Sequence, residues 1–376
     1  MVTTPSLTSA LQPHLAQVIS DHGGWIGFDR FMALALYTPG LGYYSRGDQQ
    51  IGNLPLDHAG ARSDFATAPG ISPLFGRALA VQVGQALEQT QTDALWEFGA
   101  GTGAMAAQLL QALGGQVRSY TIVDLSGTLQ QRQRATLGAF GDTVRWVTEL
   151  PAALHGVVLG NELLDAMPVQ LLARVGGHWH ERGVALNADG QPCWQDRPTA
   201  LRPPVDIDGT HDYLTEIHPQ AEGFMRSMVD RLVQGALFLI DYGFPEREYY
   251  HPQRATGTVM CHQAHRADTE PLENIGEKDI TAHVNFTGIA LAAQQAAEQR
   301  GLADEWQLLG YASQARFLLN CGLGPMMDTA SLAERSMASK LVMEHEMGEL
   351  FKVIGFCRGA PWEAIGFAHG DRSHTL

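Results

Sequence analysis

The sequence predicts an α/β protein with a doubly wound, mostly parallel sheet, and three observations lead to this fold class. A short apolar strand at 95–98 runs into alternating glycines, and a helix-like pattern follows over 103–113. A second strand, 119–124, ends in an acid roughly 20 residues after the glycines, as in nucleotide-binding βαβ units. Later apolar segments at 157–160 and 235–243 end in polar groups. This alternation favours a sheet that binds a ligand at the carboxyl ends of its strands.

Length and composition fit a globular protein with a substantial core. The chain has 376 residues, of which 45% are hydrophobic and 17% are charged. The 25 Lys and Arg against 40 Asp and Glu give a net charge of −15, which repels a phosphate backbone and excludes nucleic acid as a general partner. The acidic surface either attracts a basic peptide or simply aids solubility.

Cysteine usage and hydropathy indicate a cytoplasmic protein. The four cysteines form no C-x-x-C pair, which suggests reduced thiols rather than a disulfide framework. No apolar run is long enough to cross a bilayer, so no membrane insertion is expected. The first 20 residues fit neither a signal peptide nor a transit peptide.

The N-terminal part, 1–88, is predicted to be a helical segment that lines a cleft. Residues 7–36 are mostly helical in pattern, and an aromatic, Gly-rich loop over 36–44 either forms a wall of the substrate cleft or only packs its tyrosines. Residues 47–63 look mobile. Ser72 before Pro73 is a plausible N-cap for the next helix.

The remainder, 89–376, is predicted to form one domain with insertions at about 170–215 and 244–288. The first insertion alternates like short antiparallel strands, and the second is long enough to suggest a lid or a binding loop. Phe351 to Cys357 and Trp362 to Phe367 are predicted to pair as a hairpin. The other predicted elements are helices at 126–138, 219–234, 288–299, 311–321 and 331–346 and a strand at 143–147.

The glycine turn is the candidate cofactor site. Gly99, Gly101 and Gly103 follow the pattern G-x-G-x-G, preceded by Glu97. This pattern resembles the first motif of S-adenosylmethionine (SAM) methyltransferases more than the G-x-G-x-x-G of an NAD site. Asp124 is predicted to bind the ribose hydroxyls. Glu97 is predicted to orient the start of the glycine turn or to meet the methionine amine, and the alternative is that it caps nearby backbone N–H groups.

Several blocks in the same order make the chain similar to the MidA-like SAM-dependent methyltransferases. They are Tyr37-Thr38-Pro39-Gly40, Gly42-Tyr43-Tyr44, Asp64-Phe65, Thr67-Ala68-Pro69, Ser72, 97–103, Asn161-Glu162-Leu163-Leu164-Asp165-Ala166, Asp241-Tyr242-Gly243, 279–284 and Phe286. The resemblance implies a Rossmann-like class I fold with seven strands and SAM as cofactor. For mitochondrial members, which assist complex I assembly, it implies symmetric dimethylation of arginine on a complex I subunit. Asp124 stands where Glu is commoner, and Asn285 where an acid is commoner.

An arginine acceptor requires carboxylates, since a guanidinium stays protonated and offers only N–H donors. Glu162 and Asp165 are three residues apart after a buried strand, so a helical turn would place them on one face. They are therefore predicted as acceptor-site residues, with Asp241 as a third catalytic candidate and Asn161 as a cofactor-binding residue. The alternative is that Asn161 or Glu162 caps a following helix and that Asp165 is solvated.

The sequence thus favours a SAM-dependent methyltransferase that acts on a protein arginine, in a complex I-type subunit or another protein. A small-molecule or O-methyltransferase, an NAD-dependent oxidoreductase and a non-catalytic SAM-binding assembly factor are the alternatives. No metal is expected, since His262 and His265 lack companion ligands. The sequence does not determine the oligomeric state.

Overall fold

The computed structural model describes residues 8–45, 67–263 and 266–376, and the side chains from residue 11 onward. The predicted mobile segment 47–63, the Asp64-Phe65 pair and His265 lie outside the described residues.

Helices and strands alternate along most of the described chain. The α-helices are α1 (Thr8–Asp21), α2 (Phe28–Tyr37), α3 (Ala68–Ile71), α4 (Pro73–Thr90), α5 (Ala104–Leu113), α6 (Gly127–Leu137), α7 (Pro219–Arg231), α8 (Glu246–Tyr249), α9 (Phe286–Gln299), α10 (Gln314–Asn320), α11 (Leu323–Thr329) and α12 (Leu332–Ser339). The strands are β1 (Trp25–Gly27), β2 (Ala94–Phe98), β3 (Ser119–Val123), β4 (Val144–Val147), β5 (Leu154–Asn161), β6 (Gln170–Val175), β7 (His178–Leu186), β8 (Pro192–Pro198), β9 (Tyr213–Ile217), β10 (Leu232–Phe244), β11 (Met260–Gln263), β12 (Arg266–Asp268), β13 (Asp279–Thr281), β14 (Val284–Asn285), β15 (Trp306–Ser313) and β16 (Phe351–Arg358).

The chain divides into two compact units, neither of which is continuous in sequence. The first, called here the insertion unit, comprises the described residues of Met1–Gln49, Asp165–Ala221 and Glu246–Asn285. The second, the sheet unit, comprises those of Gln50–Leu164, Glu222–Pro245 and Phe286–Leu376. The predicted domain boundary at residue 88 stays a prediction.

The sheet unit contains the predicted doubly wound sheet. Seven strands lie in the order β15-β16-β10-β5-β2-β3-β4. The neighbouring pairs from β10 to β4 are parallel, while β16 runs antiparallel to both β10 and β15. The fold class is therefore confirmed. Helix α4 packs into the core of this unit, and it begins as predicted, because the Ser72 side chain accepts the N–H of Leu74 at 3.2 Å.

The insertion unit contains two smaller antiparallel sheets. In the first, the path β1-β7-β6-β9 is extended by β8, which pairs with β7, so the predicted antiparallel strands are confirmed. That this segment is an insertion stays a prediction. The second sheet, β12-β11-β13, lies within the predicted loop 244–288. The backbone groups of these three strands pair with one another within the described part of this loop. Its role as a lid stays a prediction.

The predicted C-terminal hairpin is wrong. Strand β16 is present, but its antiparallel neighbours are β15 and β10, and 362–367 forms no strand. The N–H groups of Ile365 and Gly366 are bound by the side chains of Gln85 and Gln82 of α4, at 2.9 and 2.7 Å. Backbone donors satisfied in this way are not available for a strand partner.

Several helix boundaries also differ from the predictions. The predicted helix 219–234 ends at Arg231, since Leu232–Gln234 belong to β10. The predicted helix 311–321 begins only at Gln314, since Tyr311 and Ala312 belong to β15. The predicted helix 331–346 ends at Ser339. A short strand, β1, interrupts the predicted helical segment 7–36, and its pairing with β7 was not visible in the local sequence pattern. No helix within the described ranges is long and apolar enough to cross a membrane.

Candidate active site

The glycine turn joins β2 to α5 at the carboxyl edge of the sheet. Gly99, Gly101 and Gly103 have φ angles of +66°, +53° and +81°, a region that side-chain-bearing residues rarely adopt. A Cβ at Gly99 or Gly103 would meet Leu163 at 3.3 Å or Leu137 at 3.2 Å, whereas a Cβ at Gly101 would meet no atom of the described residues within 4 Å. Gly101 therefore exposes backbone to open space, where a ligand can approach it closely.

Asp124 follows β3, next to the glycine turn, because Val123 is in register with Phe98. Its Oδ1 accepts the N–H of Ser126 at 2.8 Å and its Oδ2 accepts the Gln133 amide at 2.7 Å. A carboxylate has about four acceptor sites, so capacity remains for a ribose diol. Burial raises the pKa of Asp124, and the bonds from Ser126 and Gln133 oppose that rise. Leu125, the next residue, is 81% exposed and offers an apolar surface beside this acid.

Gln133 connects the glycine turn to Asp124, and the sequence analysis did not identify it. Its amide nitrogen donates to Gly101 O at 3.1 Å as well as to Asp124, and its oxygen accepts the Trp146 indole N–H at 2.9 Å. The side chain is fully buried on α6. The available sequence signal was a glutamine on the predicted buried face of a polar helix. That signal does not identify the hydrogen-bond partners of Gln133, because they are not its neighbours in sequence.

We expect Gln133→Leu to weaken SAM binding about tenfold, because Asp124 and the Gly101 carbonyl each lose a buried donor. Isothermal titration calorimetry measures this change. Gln131→Leu is the matched control, because Gln131 is exposed on the same helix. Equal affinities of Gln133→Leu and wild type would show that this bond network does not support the cofactor site.

Glu97 is buried in β2 behind the glycine turn. Its Oε2 accepts the Tyr120 hydroxyl at 2.6 Å. Burial raises the pKa of Glu97 to about 7; the Tyr120 hydrogen bond lowers it, and the nearby Asp124 carboxylate raises it further. Glu97 is thus held at a defined position at the end of β2, but contact with the methionine amine stays a prediction.

The raised pKa of Glu97 predicts a stability that falls as the pH rises. The folded state binds the Glu97 proton more tightly than the unfolded state does. The contribution of this proton to the unfolding free energy is therefore complete below pH 4.5, and it is lost as the pH rises past about 7. Over that window wild type should lose about 3 kcal/mol of unfolding free energy relative to Glu97→Gln. Urea unfolding of both proteins at several pH values measures the difference, and a difference that is constant with pH would contradict the prediction.

The segment after β5 adopts a strained turn held by the end of β10. Glu162 has φ +52°, a conformation that costs a non-glycine residue on the order of 1 kcal/mol. The N–H of Glu162 donates to Ile240 O at 2.8 Å. The N–H groups of Leu163 and Leu164 both donate to Asp241 Oδ2, at 3.1 and 2.8 Å. Three successive N–H groups are thus bound by two residues of β10, which stabilises the turn.

Asp241 is therefore placed to position this turn. Its other oxygen, Oδ1, accepts the N–H of Tyr242 at 2.9 Å, and the side chain is buried. A direct catalytic role for Asp241 stays a prediction.

Asn161 ends β5 and is also buried. Its amide nitrogen donates to Glu162 Oε1 at 3.0 Å, while its Oδ1 has no hydrogen-bond partner among the described residues. A buried acceptor without a partner is costly unless a ligand supplies the donor. Together with the open space at Gly101 and the spare capacity of Asp124, this oxygen fits a site for a nucleoside that bears an amine.

The predicted helical turn over 162–165 is absent. Glu162 is left-handed, and the backbone from Glu162 to Pro168 contains no helix, so neither a shared helical face nor a helix cap is formed there. Glu162 belongs to the sheet unit and Asp165 to the insertion unit, where the Asp165 carbonyl accepts the N–H of Ala282 at 2.9 Å. Acceptor binding by Glu162 and Asp165 stays a prediction.

Comparison with known protein families gives a match over most of the chain. A family model described as "Putative S-adenosyl-L-methionine-dependent methyltransferase" matches residues 76–303. A crystal structure of a Burkholderia thailandensis protein bound to S-adenosyl-homocysteine is 46% identical, has a TM-score of 0.91 and covers 100% of both chains. A native crystal structure of an uncharacterized protein from the same organism is 44% identical, with a TM-score of 0.87 over 100% of both chains.

More distant relatives bear a specific enzyme name. The mitochondrial protein arginine methyltransferase NDUFAF7 of Danio rerio is 25% identical, in a match that covers 92% of this chain and 84% of the relative. The mitochondrial NDUFAF7 homolog of Caenorhabditis elegans is 27% identical, in a match that covers 75% of this chain and 71% of the relative.

Proposed function

The chain belongs to the S-adenosyl-L-methionine-dependent methyltransferase family, and from that premise we propose that it is a protein arginine N-methyltransferase that forms symmetric dimethylarginine. That it is a methyltransferase with SAM as cofactor is supported by the S-adenosyl-homocysteine-bound structure, to which it is 46% identical over its whole length. The family also removes the NAD-dependent oxidoreductase from the alternatives. The arginine assignment is supported by relatives named protein arginine methyltransferases, which match 75% and 92% of the chain.

The residues of the sheet unit account for cofactor binding in this proposal. The Gly101 backbone allows close approach of the methionine part, Asp124 accepts the ribose hydroxyls, and Asn161 Oδ1 accepts a cofactor N–H. Leu125, whose side chain is exposed beside Asp124, would offer an apolar surface to the adenine ring. Gln133 and Asp241 support the site without contacting the cofactor. Gln133 holds Asp124 in position, and Asp241 holds the turn after β5 in position.

Bound SAM supplies a methyl group on a positively charged sulfur. The methyl carbon accepts an electron pair from the acceptor nitrogen, and the electron pair of the broken carbon–sulfur bond stays on the sulfur. The chain must align a guanidinium and help it release one proton, because a protonated guanidinium has no free lone pair. Carboxylates are suited to both tasks. Glu162 and Asp165 are the proposed carboxylates, and Asp241 is proposed to support them by holding the turn after β5.

The proposed substrate is a respiratory complex I-type subunit or another protein, and the proposed location is the cytoplasm. The names of the relatives support a protein substrate. The four cysteines are all free thiols, and three are buried, which is in keeping with a reducing compartment.

Quantitative mass spectrometry of methylarginine in cells with and without this chain tests the proposal. We expect symmetric dimethylarginine to disappear from at least one protein on deletion and to return with the wild-type chain but not with Gly101→Ala. Methyl transfer only to the small-molecule fraction would favour the small-molecule or O-methyltransferase alternative. Tight SAM binding with no transfer to either fraction would favour the assembly factor.

A further inference from the structure

Two stacked tyrosines and a buried carboxylate lie together in the insertion unit. The rings of Tyr37 and Tyr44 are 5.7 Å apart and 20° from parallel. The Tyr44 hydroxyl donates to Asp279 Oδ1 at 2.8 Å, and the Tyr37 hydroxyl donates to Ala166 O at 2.7 Å. Tyr37 is nonetheless 43% exposed, so part of the aromatic pair faces solvent.

The loop between the tyrosines requires glycine to bring the two rings together. Tyr37 ends α2, and Tyr44 lies in a single 3₁₀ turn, Tyr43–Ser45. A Cβ on Gly42 would lie 2.6 Å from Thr38 N and 2.7 Å from Leu36 O, so only glycine permits the chain to fold back this tightly. The aromatic, Gly-rich motif of the sequence therefore builds one specific arrangement of two rings.

Two carboxylates lie close enough to this aromatic pair to change the pKa of its hydroxyl groups. Asp279 and Asp165 are both buried. Part of the Tyr37 ring is exposed, but burial of the hydroxyl groups is the main cause of the raised pKa of both Tyr37 and Tyr44, and the charges of Asp279 and Asp165 raise each pKa further. Asp165 is fixed to the same strand region as Asp279, because its carbonyl accepts the N–H of Ala282, which follows β13.

A buried hydroxyl on β13 points to a ligand. Thr281 is 3% exposed, and its Oγ1 has no hydrogen-bond partner among the described residues. Alternate residues of a strand project to the same face, so Thr281 leaves β13 on the side of Asp279. A buried polar atom without a partner is rare in a folded protein, and a donor from a bound group would satisfy it.

These groups together suit a planar cation with many N–H donors. A guanidinium stacks on aromatic faces, and its fork of donors matches carboxylate oxygens, whereas an ammonium is compact and more strongly hydrated. We propose that Tyr37, Tyr44, Asp165, Asp279 and Thr281 form the binding site for the guanidinium of the acceptor arginine. This inference rests on the proposed function, and it pairs Asp165 with Asp279 rather than with Glu162.

Titration of the full-length protein with Nα-acetyl-L-arginine amide, in the presence of S-adenosyl-homocysteine, tests the site directly. Wild type should bind this probe and should bind Nα-acetyl-L-lysine amide more weakly. Asp279→Asn should weaken arginine-probe binding about tenfold, since one charge-assisted contact is lost. Tyr37→Leu should weaken it about three- to fivefold by removing the exposed ring.

Matched control variants show whether a loss of probe binding comes from the proposed site or from any loss of a charge or an aromatic side chain in this unit. Asp212→Asn removes an exposed charge, and Trp194→Leu removes an aromatic side chain of similar exposure, 37%, both in the same unit. Both controls should bind the probe like wild type, and all four variants should bind S-adenosyl-homocysteine within about twofold of wild type. Tyr37→Leu keeps the test decisive if Asp279→Asn does not fold.

The possible results test the guanidinium site and the proposed function separately. Methylarginine formation by wild type, together with unchanged probe affinity and unchanged KM in Tyr37→Leu and Asp279→Asn, would overturn the site and leave the function standing. Probe binding that depends on these residues, without any methyl transfer to protein arginine, would support a guanidinium site and overturn the function. Equal binding of the arginine and lysine probes, or no binding of either, would overturn the site.

Discussion

Gly101→Ala should lower SAM affinity at least about 100-fold and reduce methyl transfer accordingly, the largest effect expected for a single methyl group in this chain. Gly101 has φ +53°, where alanine is strained by about 1 kcal/mol, and its Cβ would enter the open space above the turn. The strain by itself explains only a small part of the loss; exclusion of the cofactor explains the rest. Calorimetric titration with SAM measures the change in affinity.

Gly176→Ala is the control that separates strain from exclusion. Gly176 has a nearly identical φ of +56°, and a Cβ there would also have no neighbour within 4 Å in the part of the chain that the structure describes, but it lies in the turn between β6 and β7. This variant should lose similar stability and retain SAM affinity. Similar affinities for SAM in Gly101→Ala and wild type would mean that the cofactor does not approach this turn.

Asp241→Ala should be the most damaging substitution of a side chain. It removes the acceptor for the N–H groups of Leu163, Leu164 and Tyr242, so the strained Glu162 turn loses most of its support. We expect about 3 kcal/mol less unfolding free energy and a fall in methyl transfer of at least about 100-fold. Urea unfolding and single-turnover transfer rates measure the two effects.

Asp241→Asn distinguishes positioning from direct catalysis. It retains one acceptor oxygen, so a positioning role predicts that stability and transfer rate fall together and less than in the alanine variant. A normal unfolding free energy with abolished transfer would instead indicate that the carboxylate takes part in the reaction. Asp230→Ala is the control, because its carboxylate only pairs with Arg300 at the surface of the same unit, and such pairs contribute about 0–1 kcal/mol.

The features that the sequence predicted correctly depend on residues close together in the chain. The glycine turn is one example: three alternate glycines have the positive φ angles that their spacing required. The Ser72 cap and most strands of the parallel sheet are others, because apolar period and capping chemistry are properties of a few neighbouring residues.

The wrong predictions depend on partners that are distant in the chain. The hairpin at 351–367 was plausible from local pattern, but β16 pairs with β15 and β10, and the glutamines of α4, about 280 residues earlier, bind the backbone of Ile365 and Gly366. Likewise, the predicted helical face at Glu162 was replaced by a left-handed turn held by β10, 77 to 78 residues further on.

The sequence by itself determined the fold class, the glycine turn and the acid that follows the second strand, because backbone φ preferences and hydrophobic period act over a few residues. Only the tertiary structure decided that Gln133 joins Gly101 to Asp124, that Asp241 supports the Glu162 turn, and that Tyr44 meets Asp279. These bonds join residues 9 to 235 positions apart, and the folding of the chain, rather than any local pattern, brings them within hydrogen-bond distance.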